Sequence, residues 1–345
     1  MKSSQTTVRD IARLLNISVA TVSRALRDHI DIKPETRKKV LELVEQLNYH
    51  PNFAAKSLRT NKTNTLGVVV PEIVMHFFSN TLSGIQEYAA LHDYNIIVCQ
   101  SMESARMEET NIQKLLANRV DGLIISLAID TENVDYLRQL VDRNIPVLLF
   151  DRVSDDLEVS KVVVDDSAAS FRAVEYLIST GCHRIAYIGG PKKLYVSRER
   201  EMGYVRALEK NQLRIDQELI VHCKNLHTDP CEVTKHLLEL REIPDAIFCM
   251  NDPIAIQVMQ VLKEKQVRVP DDISVIGFTN EPVSSFIEPS LTTISQPSFE
   301  MGRVAASLII DQLKKPQVYK PTTRVLETNF IIRNSTRKVE YALEH

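Results

Sequence analysis

Ser18-Val19-Ala20-Thr21-Val22-Ser23-Arg24 places three hydroxyls, small apolar side chains and one arginine within two helical turns. On a helix that buries Val22 and Leu26, the leading residues Val19, Ala20 and Thr21 can meet base edges. Ser23 and Arg24 follow one turn later, and a guanidinium can fork onto O6 and N7 of a guanine. Val19 and Ala20 offer no polar group, so they can read only methyl groups or shape. A second stretch, "HPNFAAKSLRTNK" from His50 to Lys62, reads two ways. Its middle holds good helix formers, its ends read as linker, and two cations flank one leucine. A third group is His222, Cys223, His227, Cys231 and His236. These are metal-ligand types, but their spacing matches no common zinc pattern, and no metal is expected.

The elements that must position the first group are short helices. Thr7, with Asp10 three residues on, is a capping-box start. Val8, Ile11, Ala12 and Leu15 follow at helical spacing, and Asn16 and Ile17 break it. Ser18 caps the next helix. A third helix begins near Pro34 and buries Val40, Leu43, Val44 and Leu47. Two helices joined by a tight turn, the second carrying Ser, Thr and Arg, form a helix-turn-helix layout. Charge agrees. Residues 1–63 hold 12 Lys/Arg against 6 Asp/Glu, although the 345-residue chain is net −3. A basic head on an acidic body suits a polyanionic partner.

From Thr65 onward, ten short apolar runs from "TLGVVVP" to "LTTISQ" alternate with amphipathic helices, the pattern of open parallel sheets. So many strands are better divided between two lobes than placed in one sheet. Ligands in such folds lie beyond the carboxyl ends of the strands. The chain has only 9 Gly. It contains no GxGxxG, no GxxxxGK[ST] and no GxSxG, so an enzyme is not expected. A transport-linked solute-binding protein would fit the body but not the basic head. No apolar run is long enough to span a membrane, and the start lacks the apolar stretch of a secretory signal, so a cytoplasmic location is expected. Five cysteines without a CxxC pair fit reduced, mostly buried thiols.

"VRDIARLLNISVATVSRAL" followed by "LNYHPNFAAKSL" resembles the lac-repressor (LacI/GalR) family of bacterial regulators. The resemblance continues through "VVVPEIVMHFFSNTLSGIQEYA" and "VIGFTNEPVSSFIEPSLTTISQP" over the whole chain. It implies an all-α helix-turn-helix head with a hinge helix, then a two-lobed α/β body like a periplasmic binding protein, with parallel sheets. The expected domains are 1–50 for the head and 51–63 for the hinge. One lobe comprises 64–165 and 294–324, the other 166–293 and 325–342, with crossings near Asp165, Thr293 and Val325. In this family the hinge folds on DNA, and two copies in a dimer enter the minor groove, each wedging a leucine into the central step. The DNA-binding set is therefore Thr7, Ser18, Val19, Ala20, Thr21, Ser23 and Arg24, with Asn52, Ala55, Lys56, Leu58 and Arg59 in the hinge. Lys56 and Arg59 suit phosphate, and Leu58 suits an apolar wedge.

The resemblance also implies a small-molecule effector, with no other cofactor, between the lobes. Carried over residue by residue, its site comprises Phe77, Phe78, Asp151, Arg152, Arg198, Arg200, Asn251 and Thr279. Asp252 is expected to cap the helix after Asn251. Two departures bear on the ligand: Thr279 stands where sugar-binding relatives often carry Asp, and Leu226 where they often carry Phe or Trp. With three arginines remaining, the expected effector is a small carbohydrate-like or acidic metabolite, and specifically one with a carboxylate or phosphate, such as an acidic sugar or a nucleotide-like molecule. The implied function is that of a homodimeric regulator, most often a repressor, on a near-palindromic double-stranded operator. The last residues show no sustained leucine heptad, so a dimer rather than a tetramer is expected.

Overall fold

The computed structural model describes residues 6–26, 28–49, 62–224 and 229–338. The chain divides into two compact units, Met1–Thr63 and Asn64–His345.

The first unit holds α1 (Val8–Leu14), α2 (Val19–Ala25) and α3 (Pro34–Gln46). Local chemistry sets each start. Thr7 and Asp10 close a capping box, with Thr7 N–H donating to the Asp10 carboxylate at 3.0 Å. Ser18 Oγ accepts from Thr21 N at 3.0 Å. Asn16 takes a left-handed φ of 51° in the turn between them, a conformation asparagine tolerates better than most residues. Ile11, Ala12, Val22, Ala25, Val40 and Tyr49 form the small core. Leu15 ends α1 as its C-cap rather than extending it.

The second unit opens with β1 (Thr65–Val70), α4 (His76–Leu91), β2 (Asn95–Gln100), α5 (Ala105–Ala117) and β3 (Gly122–Ile125). It continues through α6 (Asp135–Asp142), β4 (Val147–Phe150), β5 (Ser160–Val164), α7 (Asp166–Ser179), β6 (Ile185–Gly189) and α8 (Tyr195–Lys210). Next come β7 (Ile220–His222), α9 (Asp229–Leu238), β8 (Ala246–Cys249), α10 (Asp252–Glu264) and β9 (Ser274–Ile276). β10 (Thr293–Ser295), α11 (Ser298–Lys314), β11 (Thr323–Leu326) and β12 (Asn329–Ile331) complete it.

Two lobes result. The first is a six-stranded parallel sheet in the order β11-β5-β4-β3-β1-β2. The second is the parallel set β7-β6-β8-β9, with the antiparallel pair β10–β12 joined to the end of β9 by bridges from Ile276 to Thr292 and Thr279 to Ser295. Strand order reverses between β1 and β3 in the first lobe and between β6 and β8 in the second. Such reversals open a crevice beyond the carboxyl ends of the strands. In the first lobe α4 and α11 lie so close that a Cβ on Gly84 would fall 2.0 Å from Phe299 O, and one on Gly302 2.0 Å from Thr81 O.

The chain crosses between lobes at Asp165, between β10 and α11, and between β11 and β12. The crossings expected near Thr293 and Val325 thus come a few residues later. Thr293 opens β10 in the second lobe, and Val325 pairs with Val163 inside the first lobe's sheet. β11 and β12 were not among the ten runs read from sequence. β11 is four residues long and mostly exposed, and β12 is only three, so neither carries the longer apolar run of the inner strands.

Candidate functional site

On the head, Ser18, Val19, Ala20 and Arg24 are exposed, Thr21 and Ser23 are half-buried, and Val22 and Ala25 are buried. The leading turn of α2 therefore faces outward, as a groove-reading helix requires. Three of the expected DNA-contacting hydroxyls are engaged locally: Ser18 Oγ lies 2.8 Å from Thr21 Oγ1, and Thr7 Oγ1 donates to Asp10 Oδ2 at 2.6 Å. Their direct structural task is capping, which aims the helix starts. Asn52, Ala55, Lys56, Leu58 and Arg59, and also Leu226, lie outside the described residues.

In the body, the strand ends bring together Asp151 after β4, Asp166 after β5, Asn251 after β8 and Gln296 after β10. Each is buried. Arg200, on α8, reaches into this cluster. Its Nε donates to Asp166 Oδ1 at 2.7 Å, its Nη1 to Met250 O at 2.5 Å, and its guanidinium lies 3.6 Å from the centre of the Phe278 ring. Gln296 Nε2 donates to Asp151 Oδ1 at 3.3 Å. Burial raises the Asp151 pKa, an effect opposed by Arg200 and then Arg152. Burial likewise pushes Asp166 up to about 6, with Arg200 opposing and Asp151 reinforcing.

The other expected site residues divide. Phe78 is core, packed edge-on against Phe150, and Phe77 is packed against Phe78. Arg152 stands 5.6 Å from the centre of the Phe78 ring and donates to Glu103 Oε2 at 2.6 Å. Arg198 is half exposed, stacked 5.4 Å from the Tyr195 ring and 3.4 Å from Asp155. It does not join the Arg200 cluster. Thr279 lies three residues past the end of β9 with a φ of 108°, and its buried hydroxyl has no hydrogen-bond partner. The cap on α10 is reversed from expectation. Asn251 Oδ1 accepts from Ile254 N at 2.9 Å. Asp252 is instead a buried hub that accepts from Glu281 N at 2.8 Å, Ser284 Oγ at 2.6 Å and Thr293 Oγ1 at 2.5 Å, and burial pushes it up to about 6. Asn251, still in extended backbone just before the helix, is the residue whose side chain can reach the helix start, and Asp252 as the first helical residue is left facing the neighbouring β10.

A cavity of about 510 Å³ opens between the lobes, lined by Leu127, Val134, Arg152 and Asp155 on one side and Lys193, Tyr195 and Arg198 on the other. Its volume is in the range of small-molecule sites. Two ion pairs cross at its rim, Lys193 to Glu132 at 2.6 Å and Arg198 to Asp155 at 3.4 Å. Sequence reading missed Glu103, Asp166, Tyr195, Phe278 and Gln296. Glu103, Asp166 and Gln296 stand just past strand ends, so the strand-end rule applied to every strand would have found them. Among the described residues no group of three His, Cys, Asp or Glu is placed to hold a metal. His222 Nδ1 lies 2.9 Å from Gly190 O, and burial pushes the Cys223 thiol up to about 12. His227 lies outside the described residues.

Residues 7–52 match the family of bacterial regulatory proteins of the lacI type, and residues 174–336 match the periplasmic binding protein-like domain. The chain is 34% identical over 313 residues to catabolite control protein A of Priestia megaterium, covering 90% of this chain and 94% of that one. It is 35% identical over 338 residues to the probable HTH-type transcriptional repressor ExuR of Bacillus subtilis, covering 96% and 99%. The chain belongs to the lacI family of bacterial regulatory proteins. Among solved structures, the lac repressor dimer bound to operator and the anti-inducer ONPF aligns with a TM-score of 0.87 at 26% identity, covering 97% of this chain and all of that one. The transcriptional regulator CelR in complex with cellobiose aligns with a TM-score of 0.73 at 26% identity, covering 96% of this chain. This lacI-family chain is accordingly a DNA-binding transcription regulator with a ligand-sensing body. Among its described residues no helix is long and apolar enough to cross a membrane.

Proposed function

We propose that the protein is a repressor whose hold on a near-palindromic operator is set by a small hydroxylated molecule bound between the two lobes. The observation that carries this reading is the buried cluster of Arg200, Asp166, Asp151, Asn251 and Gln296, drawn from α8, from strand ends of both lobes and from two of the crossing segments. Paired donors and acceptors of this kind suit hydroxyl groups, each of which can both donate and accept. A molecule that touches both lobes changes their angle, and the crossings pass that change along the chain.

The body works as one half of a homodimer, as in the operator-bound lac repressor dimer, and one head reads each half-site. Val19, Ala20, Thr21, Ser23 and Arg24 face the bases. Lys56 and Arg59 neutralise phosphate and Leu58 wedges the central step, a role that rests on the sequence resemblance alone. The effector is the only cofactor, the protein acts by binding rather than catalysis, and its place is the cytoplasm.

The test is selection of genomic fragments by the purified full-length protein, followed by sequencing, with and without a pooled metabolite extract. Enrichment of a two-fold-symmetric sequence in either arm is the expected result. Failure to enrich any symmetric sequence in both arms would refute the reading.

A further inference from the structure

The Arg152–Glu103 pair has an unusual setting. Arg152 follows Asp151, which holds a left-handed φ of 56°, and Glu103 follows Met102, with φ of 58° and 52°. Left-handed backbone at a methionine and a glutamate in succession is unfavourable and persists only where surrounding contacts hold it. Here the contacts are specific. Glu103 Oε2 accepts from Arg152 Nη1 at 2.6 Å and from Ile129 N at 2.9 Å. The Arg152 side chain is 6% exposed and that of Glu103 19%. Arg152 also lines the interlobe cavity, and Ile129 lies on its wall. A strained turn thus delivers one carboxylate to the one buried arginine that faces this cavity, and the same oxygen pins the cavity's loop.

We infer that Glu103 is a specificity-determining residue: it cancels the charge of Arg152 and turns the cavity wall from a carboxylate or phosphate hook into a neutral surface for hydroxyls. The three arginines in this region invite an acidic ligand. Yet Arg152 is paired with Glu103, Arg198 with Asp155 and Arg200 with Asp166. Of these partners Glu103 alone combines partial burial, a strained backbone and a second bond to the cavity loop. An anionic ligand at Arg152 must displace it or meet its negative charge, and like-charge juxtaposition is a strong discriminator. The inference rests on the interlobe cleft being the effector site.

The test uses the full-length protein, with D-glucuronate and D-glucose as matched anionic and neutral probes. The readout is hydrogen exchange across residues 126–136, the loop that Glu103 pins. Glu103→Gln keeps both hydrogen bonds and removes the charge. The expected result is that D-glucuronate protects this loop in Glu103→Gln at a concentration about tenfold lower than in wild type, with the gain abolished by adding Arg152→Gln. D-glucose is unaffected by the change. Equal D-glucuronate responses in wild type and Glu103→Gln would overturn the inference. If Glu103→Gln does not fold, the paired variant Glu103→Gln/Arg152→Gln decides, because it keeps the wall's net charge at zero: it leaves the wild-type D-glucuronate response unchanged, and loss of such a response would show that Arg152 already serves as an anion hook. Failure of the regulatory reading is separate, since it appears as operator binding that no metabolite shifts.

Discussion

Arg200 and Asp166 form an ion pair with both side chains almost wholly removed from water, Nε to Oδ1 at 2.7 Å and side chains 3% and 2% exposed. Asp166 is the first residue past a lobe crossing and Arg200 comes from the middle of α8, so the pair ties that crossing to the helix that also carries the cavity residues Tyr195 and Arg198. Removing one partner leaves an uncompensated buried charge. Arg200→Ala should therefore lower stability by about 3–5 kcal/mol in denaturant titration. Arg200→Met combined with Asp166→Leu should recover most of that loss while remaining unresponsive to effector. Full effector response in the double variant would show that the pair is only structural.

Glu108 supplies a pH dependence with a definite sign. It is buried on α5, accepts from Ala128 N at 2.6 Å and Thr131 Oγ1 at 3.2 Å, and is also bonded by the Tyr136 hydroxyl. Burial pushes its pKa up from 4.5 to about 6, against those hydrogen bonds. A carboxyl that binds its proton more tightly when folded favours the fold most below its unfolded pKa and loses that contribution as pH rises through the folded value. Relative to Glu108→Gln, wild type should gain about 2 kcal/mol between about pH 7 and pH 4. Parallel stability profiles for the two proteins would contradict this.

The rim pairs Lys193–Glu132 and Arg198–Asp155 join the lobes through exposed side chains, so each contributes about 0–1 kcal/mol and weakens with salt. A zero-length carbodiimide cross-linker should join Glu132 to Lys193, read as a linked peptide by mass spectrometry. Lys193→Glu should abolish the product, and the product should decline at high ionic strength. Its absence in wild type at low salt would mean that the lobes do not close this way in solution.

On DNA, Arg24→Ala should cost about 1–3 kcal/mol on the selected operator and relax preference at a single base pair per half-site. Lys56→Ala should weaken all sequences alike and reduce the salt slope. Leu58→Ala should weaken specific binding far more than non-specific binding. Anisotropy titrations on the operator and its base-substituted versions separate the three. A uniform loss from Arg24→Ala would remove it from base reading.

The head was legible because its signals are local. Thr7, Asp10 and Ser18 cap helices within three residues of themselves, and the spacing of Ile11, Val22 and Val40 marks the core without reference to anything distant. Strand ends carrying Asp151, Asn251 and Thr279 were also readable, since an apolar run ends where its polar residue begins. Partnerships were not. Arg152 and Glu103 are 49 positions apart, and only the parallel order of the sheet brings the ends of β2 and β4 to one wall. Asp252 reads as a helix cap by position, yet Ser284 and Thr293, far along the chain, claim its carboxylate. Arg198 and Arg200 look equivalent in sequence. Two residues along a helix turn a side chain well round its axis, which puts one at the exposed rim and the other in the core.

The most direct test is operator affinity of full-length wild type and of Arg200→Lys, each with and without a pooled metabolite extract. The account predicts that the extract shifts wild-type affinity at least about tenfold, a coupling of about 1.4 kcal/mol, and leaves Arg200→Lys unmoved although it binds the operator alone as wild type does. An equal shift in both proteins, or no shift in either, would contradict control of the head by the cleft.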